Sequence, residues 1–319
     1  MEPATAVLAD PGELPPRVTV AVATFRRTER LRPVLDELTG QVQRCGFTAR
    51  LLVIDNNPIP EAADLVRSYP AECVRYTHEP APGIAAARNR ALAECQGEDA
   101  VVFIDDDEIP EPGWLATLVN SWQTWGCAAV AGPVVSVFET APDTWVTGSG
   151  VFDRQRAATG SLRRGAATNN LLLDVRWLTR SGLRFDERFG LTGGSDTMLT
   201  HAMVSRGADI RWCDEAEVTE VVPAQRTTRR WVIGRTIRTS NDWSRVHLLL
   251  AGSPRSRLAE RCDLVIRGMV RMARGAGATA LGLLVGGPRL RARGECSLAS
   301  GYGMITGAVG RVRSEYARG

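Results

Sequence analysis

Four runs of strand-forming residues alternate with amphipathic stretches over residues 17–105. The runs are Val18–Ala23, Leu51–Ile54, Val74–Tyr76 and Val101–Ile104. After the first run, apolar residues recur at helical spacing behind Thr28, which we expect to cap that helix. Helices are also predicted over 60–69 and over 84–95, the latter with Gly97 just past its end. Strands separated by helices predict an α/β fold whose mostly parallel sheet is flanked by helices.

Each predicted strand is followed at its carboxyl end by a polar residue: Thr24, Asp55, His78 and Asp105. The carboxyl ends of parallel strands meet at one edge of a sheet, and such folds bind their ligands there. One polar residue after a strand needs no explanation beyond the start of a loop. Two strands that both end in aspartate favour a functional site at this edge.

Residues 105–108 are four consecutive acids, Asp-Asp-Asp-Glu, that directly follow an apolar strand. Like charges side by side are unfavourable unless a cation lies among them. Hard oxygen donors suit Mg²⁺ or Mn²⁺, which keeps several waters and carries a phosphate-bearing substrate. The alternative is a solvated acidic loop with no ligand.

The second half of the chain predicts a helix after the Gly193-Gly194-Ser195 turn, capped by Ser195 and ending near Gly207. From residue 226 onward the chain has 18 arginines against 5 acids, whereas residues 1–225 have 21 arginines against 31 acids. Apolar residues recur at helical spacing in this basic region, so we expect a helical C-terminal extension. A basic amphipathic segment suits an anionic membrane surface. The alternative is a pair of helices that packs on the catalytic domain or on a second copy in a homodimer.

The composition excludes several classes of protein. The chain has 319 residues, 44% hydrophobic, and its 39 cationic side chains are all arginine. Seven scattered cysteines without a C-x-x-C pair argue against disulfides and zinc. The N-terminus lacks a signal-peptide pattern, and the apolar stretch 276–287 is too short to span a bilayer. We therefore expect a cytoplasmic protein, peripheral at most on the inner membrane face, with no nucleic-acid partner because no reading motif is present.

The turn after the first strand, residues 24–28, contains no glycine. A dinucleotide-binding fold would have G-x-G-x-x-G there, and a Walker loop is also absent. Phosphate would therefore be held by metal and arginine rather than by a glycine-rich loop.

Five stretches resemble family-2 glycosyltransferases, which use nucleotide sugars and have a GT-A fold. They are AVATFRR (residues 21–27), VIDNN (53–57), GIAAARNRA (83–91), FIDDDEIPEPGWL (103–115) and FDERFGLTGGSD (185–196). The resemblance covers about residues 17–240 and implies a GT-A catalytic domain over residues 16–225. Its nucleotide-binding half would be 16–115 and its acceptor half 116–225, between a disordered lead-in (1–15) and the basic helical region (226–319).

The resemblance also implies roles for individual residues. Thr24 and Asp55 would bind the nucleobase, Arg88 would approach the diphosphate, and Asp196 would be the catalytic base of an inverting reaction. Asp105 and Asp107 correspond to the D-x-D motif, in which Asp105 lies near the ribose and both carboxylates hold Mg²⁺ or Mn²⁺. The donor-binding set implied by the resemblance is Thr24, Arg26, Asp55, Arg88, Asp105 and Asp106. The acceptor-binding set is Asn169, Gly193, Gly194 and Ser195.

The chain departs from the family at two positions that bear on metal binding. Ser195 stands where relatives often have Glu, and Val221 stands where they often have a possible metal-ligating His. The expected reaction moves a sugar to a cell-envelope or lipid-linked glycan. The alternatives are a glycosyltransferase that tailors a small natural product, and a non-catalytic membrane-associated scaffold of the same fold.

Overall fold

The computed structural model describes residues 14–154 and 156–312. The predicted lead-in, 1–15, lies outside these ranges except for its last two residues. The first half alternates strands and helices as predicted. Its elements are β1 (Arg17–Thr24), α1 (Thr28–Arg44), β2 (Thr48–Asp55), α2 (Ala63–Val66), β3 (Val74–His78), α3 (Ile84–Glu94) and β4 (Ala100–Asp105).

The chain continues through a mixed segment that adds six strands and four helices. These are β5 (Glu108–Pro110), α4 (Trp114–Trp125), β6 (Ala129–Ala131), β7 (Val134–Phe138), α5 (Thr144–Ser149), β8 (Asn170–Asp174), α6 (Val175–Ser181), α7 (Ser195–Ser205), β9 (Ile210–Trp212) and β10 (Val218–Val222). Short 3₁₀ turns occur at Glu187–Phe189 and Ala224–Thr227.

Seven strands form the main sheet in the order β3-β2-β1-β4-β8-β6-β9. Only β8 is antiparallel to its neighbours, so the mostly parallel α/β sheet that the sequence predicted is confirmed. The central strands are continuous apolar runs because helices cover both faces of the sheet. Val20 and Val22 of β1 pack on one face with Leu31 and Leu35 of α1, and Ala21 packs on the other.

Three long helices complete the chain: α8 (Arg229–Leu250), α9 (Pro254–Leu284) and α10 (Pro288–Ala308). The predicted helical extension is therefore confirmed. No helix in the described part of the chain has a stretch both long and apolar enough for a bilayer crossing.

Helices α9 and α10 pack with their backbones in near contact along a line of glycines, which we call the glycine seam. It consists of Gly268, Gly275 and Gly282 of α9 with Gly294 and Gly301 of α10. A Cβ atom added at Gly275 would lie 2.7 Å from the Gly294 carbonyl oxygen. Both helices repeat glycine every seven residues, which is two helical turns and keeps the seam on one face.

The predicted caps at Thr28 and Ser195 are wrong. Each residue is the first of its helix rather than the capping residue before it, and neither α1 nor α7 has a side-chain cap hydrogen bond. Gly194 precedes α7 with φ of 87°, a left-handed conformation that glycine adopts without strain. The Ser195 hydroxyl is turned inward instead.

The glycine seam generates a prediction about stability. Gly275→Ala should lower the free energy of unfolding by about 1–3 kcal/mol, because the new methyl group overlaps the backbone of α10. Gly277→Ala is the matched control, because a Cβ atom there meets nothing within 4 Å. It should raise stability by up to about 1 kcal/mol through helix propensity. Urea unfolding of both variants measures this, and equal effects would contradict the packing of α9 on α10.

Candidate functional site

The carboxyl ends of β1, β2 and β4 lie side by side and open into a cavity of about 610 Å³. Thr24 is opposite Asp55 in the register of β1 and β2, and Ala23 is opposite Asp105 in that of β1 and β4. We call this space the central cavity. The expected site residues that line it are Thr24, Arg88, Asp105, Asp106, Asp107, Asn169, Gly193, Gly194, Ser195 and Asp196.

Two of the four consecutive acids are buried and hydrogen-bonded within the protein. Asp106 is 5% exposed and accepts a hydrogen bond of 2.8 Å from the Thr24 hydroxyl. Glu108 accepts from the Asp105 backbone N–H at 3.1 Å and from the Asn169 side-chain amide at 2.7 Å. These contacts fix the turn after β4, so the remaining two acids are presented to the cavity.

Asp105 and Asp107 line the cavity and contact arginines from three parts of the chain. Asp105 is open, with 44% of its side chain accessible, and lies 3.7 Å from the Arg88 guanidinium. Asp107 lies 3.0 Å from Arg27 and 3.7 Å from Arg226. Arg88 was expected from the sequence, whereas Arg27 and Arg226 were missed. The position of Arg27 in the turn after a predicted strand is a sequence signal that could have found it.

The small sheet β5-β10-β7 brings a fifth acid to the cavity. Glu220 of β10 is opposite Glu108 of β5 in an antiparallel register. Its carboxylate is paired with Arg154 at 2.5 Å and with Arg226 at 3.1 Å. Arg226 therefore lies between Glu220 and Asp107 and links the small sheet to the end of β4.

Three acids of the cavity, Asp105, Asp106 and Glu108, have raised pKa values. Asp105 faces the cavity, yet the protein that surrounds it there limits its hydration and raises its pKa to about 6, against the opposing effect of Arg88, and the charges of Asp107 and Asp106 add to the rise. Burial and then the charge of Asp105 raise the pKa of Glu108 well above its usual range. The arginines do not fully offset the negative charge, so this end of the cavity favours an additional cation.

The acids fit a divalent cation that takes only one or two ligands from the protein and the rest from a bound phosphate group and water. Among the residues that the structure describes, no three His, Cys, Asp or Glu side chains converge into a complete metal site. Mg²⁺ and Mn²⁺ sites of phosphate-transferring or phosphate-releasing enzymes commonly have one or two carboxylates, with the remaining ligands from phosphate and water. Asp107 and Asp105 at the cavity wall match that donor set.

Asp55 is engaged by the protein itself and does not line the central cavity. Its carboxylate accepts from the backbone N–H groups of Asn57, Glu61 and Ala62 at 2.8–3.0 Å and from the Tyr76 hydroxyl at 3.0 Å. Burial opposes the charge, but these donors outweigh it and the pKa of Asp55 is lowered. The carboxylate thus holds the loop from β2 to α2 in shape.

Arg26 is exposed and is also outside the cavity lining. It adopts a left-handed conformation with φ of 54°, and its backbone N–H donates to the Asn57 side chain at 2.9 Å. Asn56, which the sequence did not single out, lines the cavity between the strand ends. Its side chain accepts from the Gly83 backbone N–H at 3.2 Å and so ties the start of α3 to the end of β2.

The turn before α7 forms the opposite wall. Gly193 and Gly194 have φ of 91° and 87°, which lets their backbone pass close to the cavity. Ser195 is buried and accepts from Arg88 at 3.4 Å. Asp196 is in the first turn of α7, where a negative charge interacts favourably with the helix dipole. Its Oδ1 accepts from the Thr197 backbone N–H at 2.7 Å.

Helix α8 closes the cavity with residues that the sequence did not indicate. Trp231, Arg235, Arg238 and Asp242 line it, at spacings of four, three and four residues that place them on one helical face. The basic residue Arg229 beside them is turned away, because it pairs with Glu295 of α10 at 2.6 Å. The first helix of the basic C-terminal region is thus part of the site.

A second cavity, of about 460 Å³, adjoins the first and shares Arg154 and Asn169 with it. Its far wall includes Trp212 with the Arg163 guanidinium 5.3 Å from the ring centre. Asn170, next to Asn169, is buried and does not face either ligand space, since its amide bonds to Trp114 and to two backbone carbonyls. Of the two asparagines only the first can meet a ligand.

Comparisons with known proteins agree with this architecture. The family described as "Glycosyl transferase family 2" matches residues 19–189. "Succinoglycan biosynthesis protein ExoM" of Rhizobium meliloti (strain 1021) is 33% identical over 235 residues, which are 72% of this chain and 74% of that protein. "Pre-mycofactocin glycosyltransferase" of Mycobacterium tuberculosis (strain CDC 1551 / Oshkosh) is 32% identical over 126 residues, 38% of this chain and 24% of that protein.

A solved structure has the same fold over nearly the whole chain. It is the mannosyltransferase PcManGT from Pyrobaculum calidifontis in complex with GDP-Man and Mn²⁺, with a TM-score of 0.61. The match covers 96% of this chain and 89% of that chain at 19% identity. It supports a GT-A fold that includes the C-terminal helices.

The contacts of Asp55 generate a prediction about stability and pH. Asp55→Asn should lower the free energy of unfolding at pH 7 by about 1.5–3 kcal/mol, because a neutral amide cannot accept all of these hydrogen bonds. The wild-type advantage is present above the unfolded pKa of about 4, and it is lost as the pH falls through the lowered folded pKa.

Urea unfolding at pH 7 and pH 4 checks this, and the difference between the two proteins should be smaller at pH 4. The variant tests two roles of the carboxylate at once. Wild-type stability together with a loss of nucleotide affinity would mean that Asp55 reads the nucleobase rather than holding the loop.

Proposed function

Because the chain belongs to glycosyl transferase family 2 and is a glycosyltransferase, we propose that it moves a sugar from a nucleotide diphosphate to an acceptor hydroxyl with inversion. The observation that carries this proposal is that Asp105 and Asp107 line the same cavity as Asp196. A cation-binding pair of carboxylates and a separate carboxylate at a helix start are what donor activation and acceptor deprotonation require.

The donor diphosphate would lie between the end of β4 and α3. Asp107, with Asp105 beside it, would hold Mg²⁺ or Mn²⁺, which when bound supplies positive charge to the departing diphosphate. The Mn²⁺ and GDP-Man bound by the structural neighbour PcManGT support this proposal. Arg88, at 3.7 Å from Asp105, is placed to contact the same phosphates. Arg27 and Arg226 are paired with Asp107 in this structure. When the cation binds Asp107, they would give up part of that contact and bind the diphosphate instead.

The nucleobase would occupy the side of the cavity next to β1 and β2. Thr24 lines it, and Asn56 is the β2-end side chain that reaches it. A contact between the base and Asp55 or Arg26 stays a prediction, since both side chains are placed outside the cavity lining. The backbone of residues 55–57, held by Asp55, is the alternative source of hydrogen bonds to a base.

Asp196 would act as the general base. The acceptor hydroxyl oxygen attacks C1 of the sugar, its proton passes to the Asp196 carboxylate, and the bond from C1 to the diphosphate oxygen breaks with its electron pair on the diphosphate. A single displacement of this kind inverts the configuration at C1. The glycines before Asp196 leave room for the acceptor next to its carboxylate.

We propose a glycan of the cell envelope, free or lipid-linked, as the acceptor. A relative whose match covers 72% of this chain is described as a succinoglycan biosynthesis protein, and this description supports a glycan as the acceptor. The second cavity lies on the acceptor side, and an aromatic ring beside a guanidinium, as at Trp212 and Arg163, suits a sugar. The shorter match to a pre-mycofactocin glycosyltransferase favours the alternative, a small natural product. A non-catalytic scaffold would not need the three aspartates at one cavity.

The metal role of Asp107 is tested by nucleotide titration. Asp107→Ala should abolish transfer, and it should weaken binding of UDP, GDP or TDP by at least about tenfold when Mn²⁺ is present, with little change in its absence. Asp64→Ala on α2 is the matched control, an exposed acid remote from the cavity. Calorimetric titration of each nucleotide with and without Mn²⁺ also identifies the base. Unchanged affinity and turnover in Asp107→Ala would refute the assignment.

The role of Asp196 is tested by turnover and stereochemistry. Asp196→Asn should bind donor normally and lose about 10²–10⁴ in transfer rate, because the hydroxyl loses its base. The wild-type product should have the opposite anomeric configuration to the donor, which proton NMR of the product measures. A retained configuration, or a variant within a few-fold of wild type, would contradict the mechanism. Asp64→Asn serves as the neutral control.

A further inference from the structure

Helix α9 has two faces of opposite character. One face is buried against α10 and α8 and holds Leu264 and the α9 members of the glycine seam. The other face points away from the protein. It contains six large apolar side chains that are 43–84% exposed: Leu258, Ile266, Met269, Val270, Leu281 and Leu284. We call it the outer face of α9.

The outer face is continuous along nearly the full length of the helix. Its members fall within a sector of about 140° on the helical wheel, centred opposite Gly268 and Gly275. Between Leu258 and Leu284 the other positions of the sector are alanine, glycine and Cys262, with Asp263 at its edge. A helix of 31 residues is about 46 Å long. Such a stripe is larger than scattered surface residues produce, and it indicates an interaction surface.

Charge flanks this surface on one side. Arg267 and Arg274 are exposed and lie along one edge of the outer face, whereas Arg271 is turned toward α10 and donates to the Ser300 hydroxyl at 2.9 Å. Over residues 254–284 the chain has six arginines against two acids, and both acids are engaged, Asp263 with Arg267 and Glu260 with His247. An apolar stripe bordered by guanidinium groups is complementary to acyl chains below a layer of anionic headgroups.

A second copy of the chain fits the outer face less well. In an antiparallel pair of α9 helices, the flank with Arg267 and Arg274 would meet the same flank of the other copy. In a parallel pair it would meet the opposite flank, which carries Val265 and Met272 and no acid. The antiparallel arrangement places arginine against arginine, the parallel one places arginine against apolar side chains, and neither provides a row of acids to pair with the guanidinium groups.

We propose that the outer face of α9 binds the surface of an anionic phospholipid bilayer, with the helix lying parallel to the membrane plane. The glycine seam would hold α9 on α10 while its apolar side chains enter the boundary between headgroups and acyl chains. Since α10 packs on α8, and α8 lines the central cavity, the bound helix would orient that cavity relative to the membrane. The binding does not depend on which sugar or acceptor the enzyme uses.

The chain supplies its own reporter for a test. Cys262 lies within the outer face and is the exposed cysteine among those described, so a polarity-sensitive thiol dye can be attached there. Cys45→Ser and Cys73→Ser in the same protein remove the half-buried thiols. The full chain is mixed with vesicles of phosphatidylcholine alone or of phosphatidylcholine with phosphatidylglycerol. We expect a blue shift of the dye and flotation with the anionic vesicles only, both lost in high salt.

Two variants of the outer face and one control make the result specific. Ile266→Asp with Met269→Asp should abolish flotation, and Arg274→Gln should weaken binding about fivefold, the effect of one cation near an anionic surface. Val137→Asp on β7 adds one such charge at another exposed apolar position and should bind like wild type. Circular dichroism and turnover on a soluble acceptor check that the variants are folded.

Absence of binding to either vesicle would overturn the proposal, as would equal binding to both. A dimer seen by light scattering that dissociates in Ile266→Asp with Met269→Asp would identify a second copy as the occupant instead. The Asp107 and Asp196 variants should lose transfer and keep membrane binding. The catalytic assignment and the membrane proposal are therefore tested independently, and either can fail without the other.

Discussion

The structure around the site depends on the concentration of negative charge at the end of β4. Five carboxylates, four consecutive and one from β10, lie within one corner of the molecule, where three of them have raised pKa values because the surrounding protein limits their hydration. The fold offsets this by bringing guanidinium groups from distant parts of the chain: Arg27 after β1, Arg88 on α3, Arg154 before β8 and Arg226 after β10. The corner therefore ties the first and second halves of the chain together, and its cations are also the groups that a diphosphate needs.

The C-terminal region is part of this arrangement rather than a separate appendage. Helix α8 gives one face to the central cavity and the opposite face to α10, where Gly303 and Gly307 let the two helices approach closely. The boundary predicted at residue 225 divides the sequence by charge, but it does not divide the site. Only two helix–helix contacts, α9 on α10 and α10 on α8, separate the proposed membrane-binding helix from the wall of the cavity.

The sequence predicted the main sheet and its site edge because strand length, alternation with helices and polar strand ends are local properties. It also indicated Arg88, the acids after β4 and the turn before Asp196, all of which line one cavity. The contribution of α8 was missed for a physical reason. A helix face that carries Arg235, Arg238 and Asp242 looks like a solvent-exposed face, and only tertiary packing turns it toward a cavity.

The directions of the Asp55 and Ser195 side chains could not be predicted from the sequence either. An aspartate after a strand can point into the site or back into its own loop, and the difference is decided by backbone N–H groups several residues further on. The glycine seam was visible as a seven-residue repeat, yet its meaning depends on the partner helix. Glycine spacing alone does not distinguish close packing from a weak helix.

The arginines that line the central cavity have a consequence for the range of conditions in which the site keeps its character. A guanidinium stays protonated far into the alkaline range, whereas an ammonium group begins to lose its charge near pH 10. Since the chain has no lysine, the positive wall of the cavity persists wherever the fold itself survives. The same feature leaves the cavity without an amine for acylating reagents to consume, so modification of amines does not remove the positive charge of its wall.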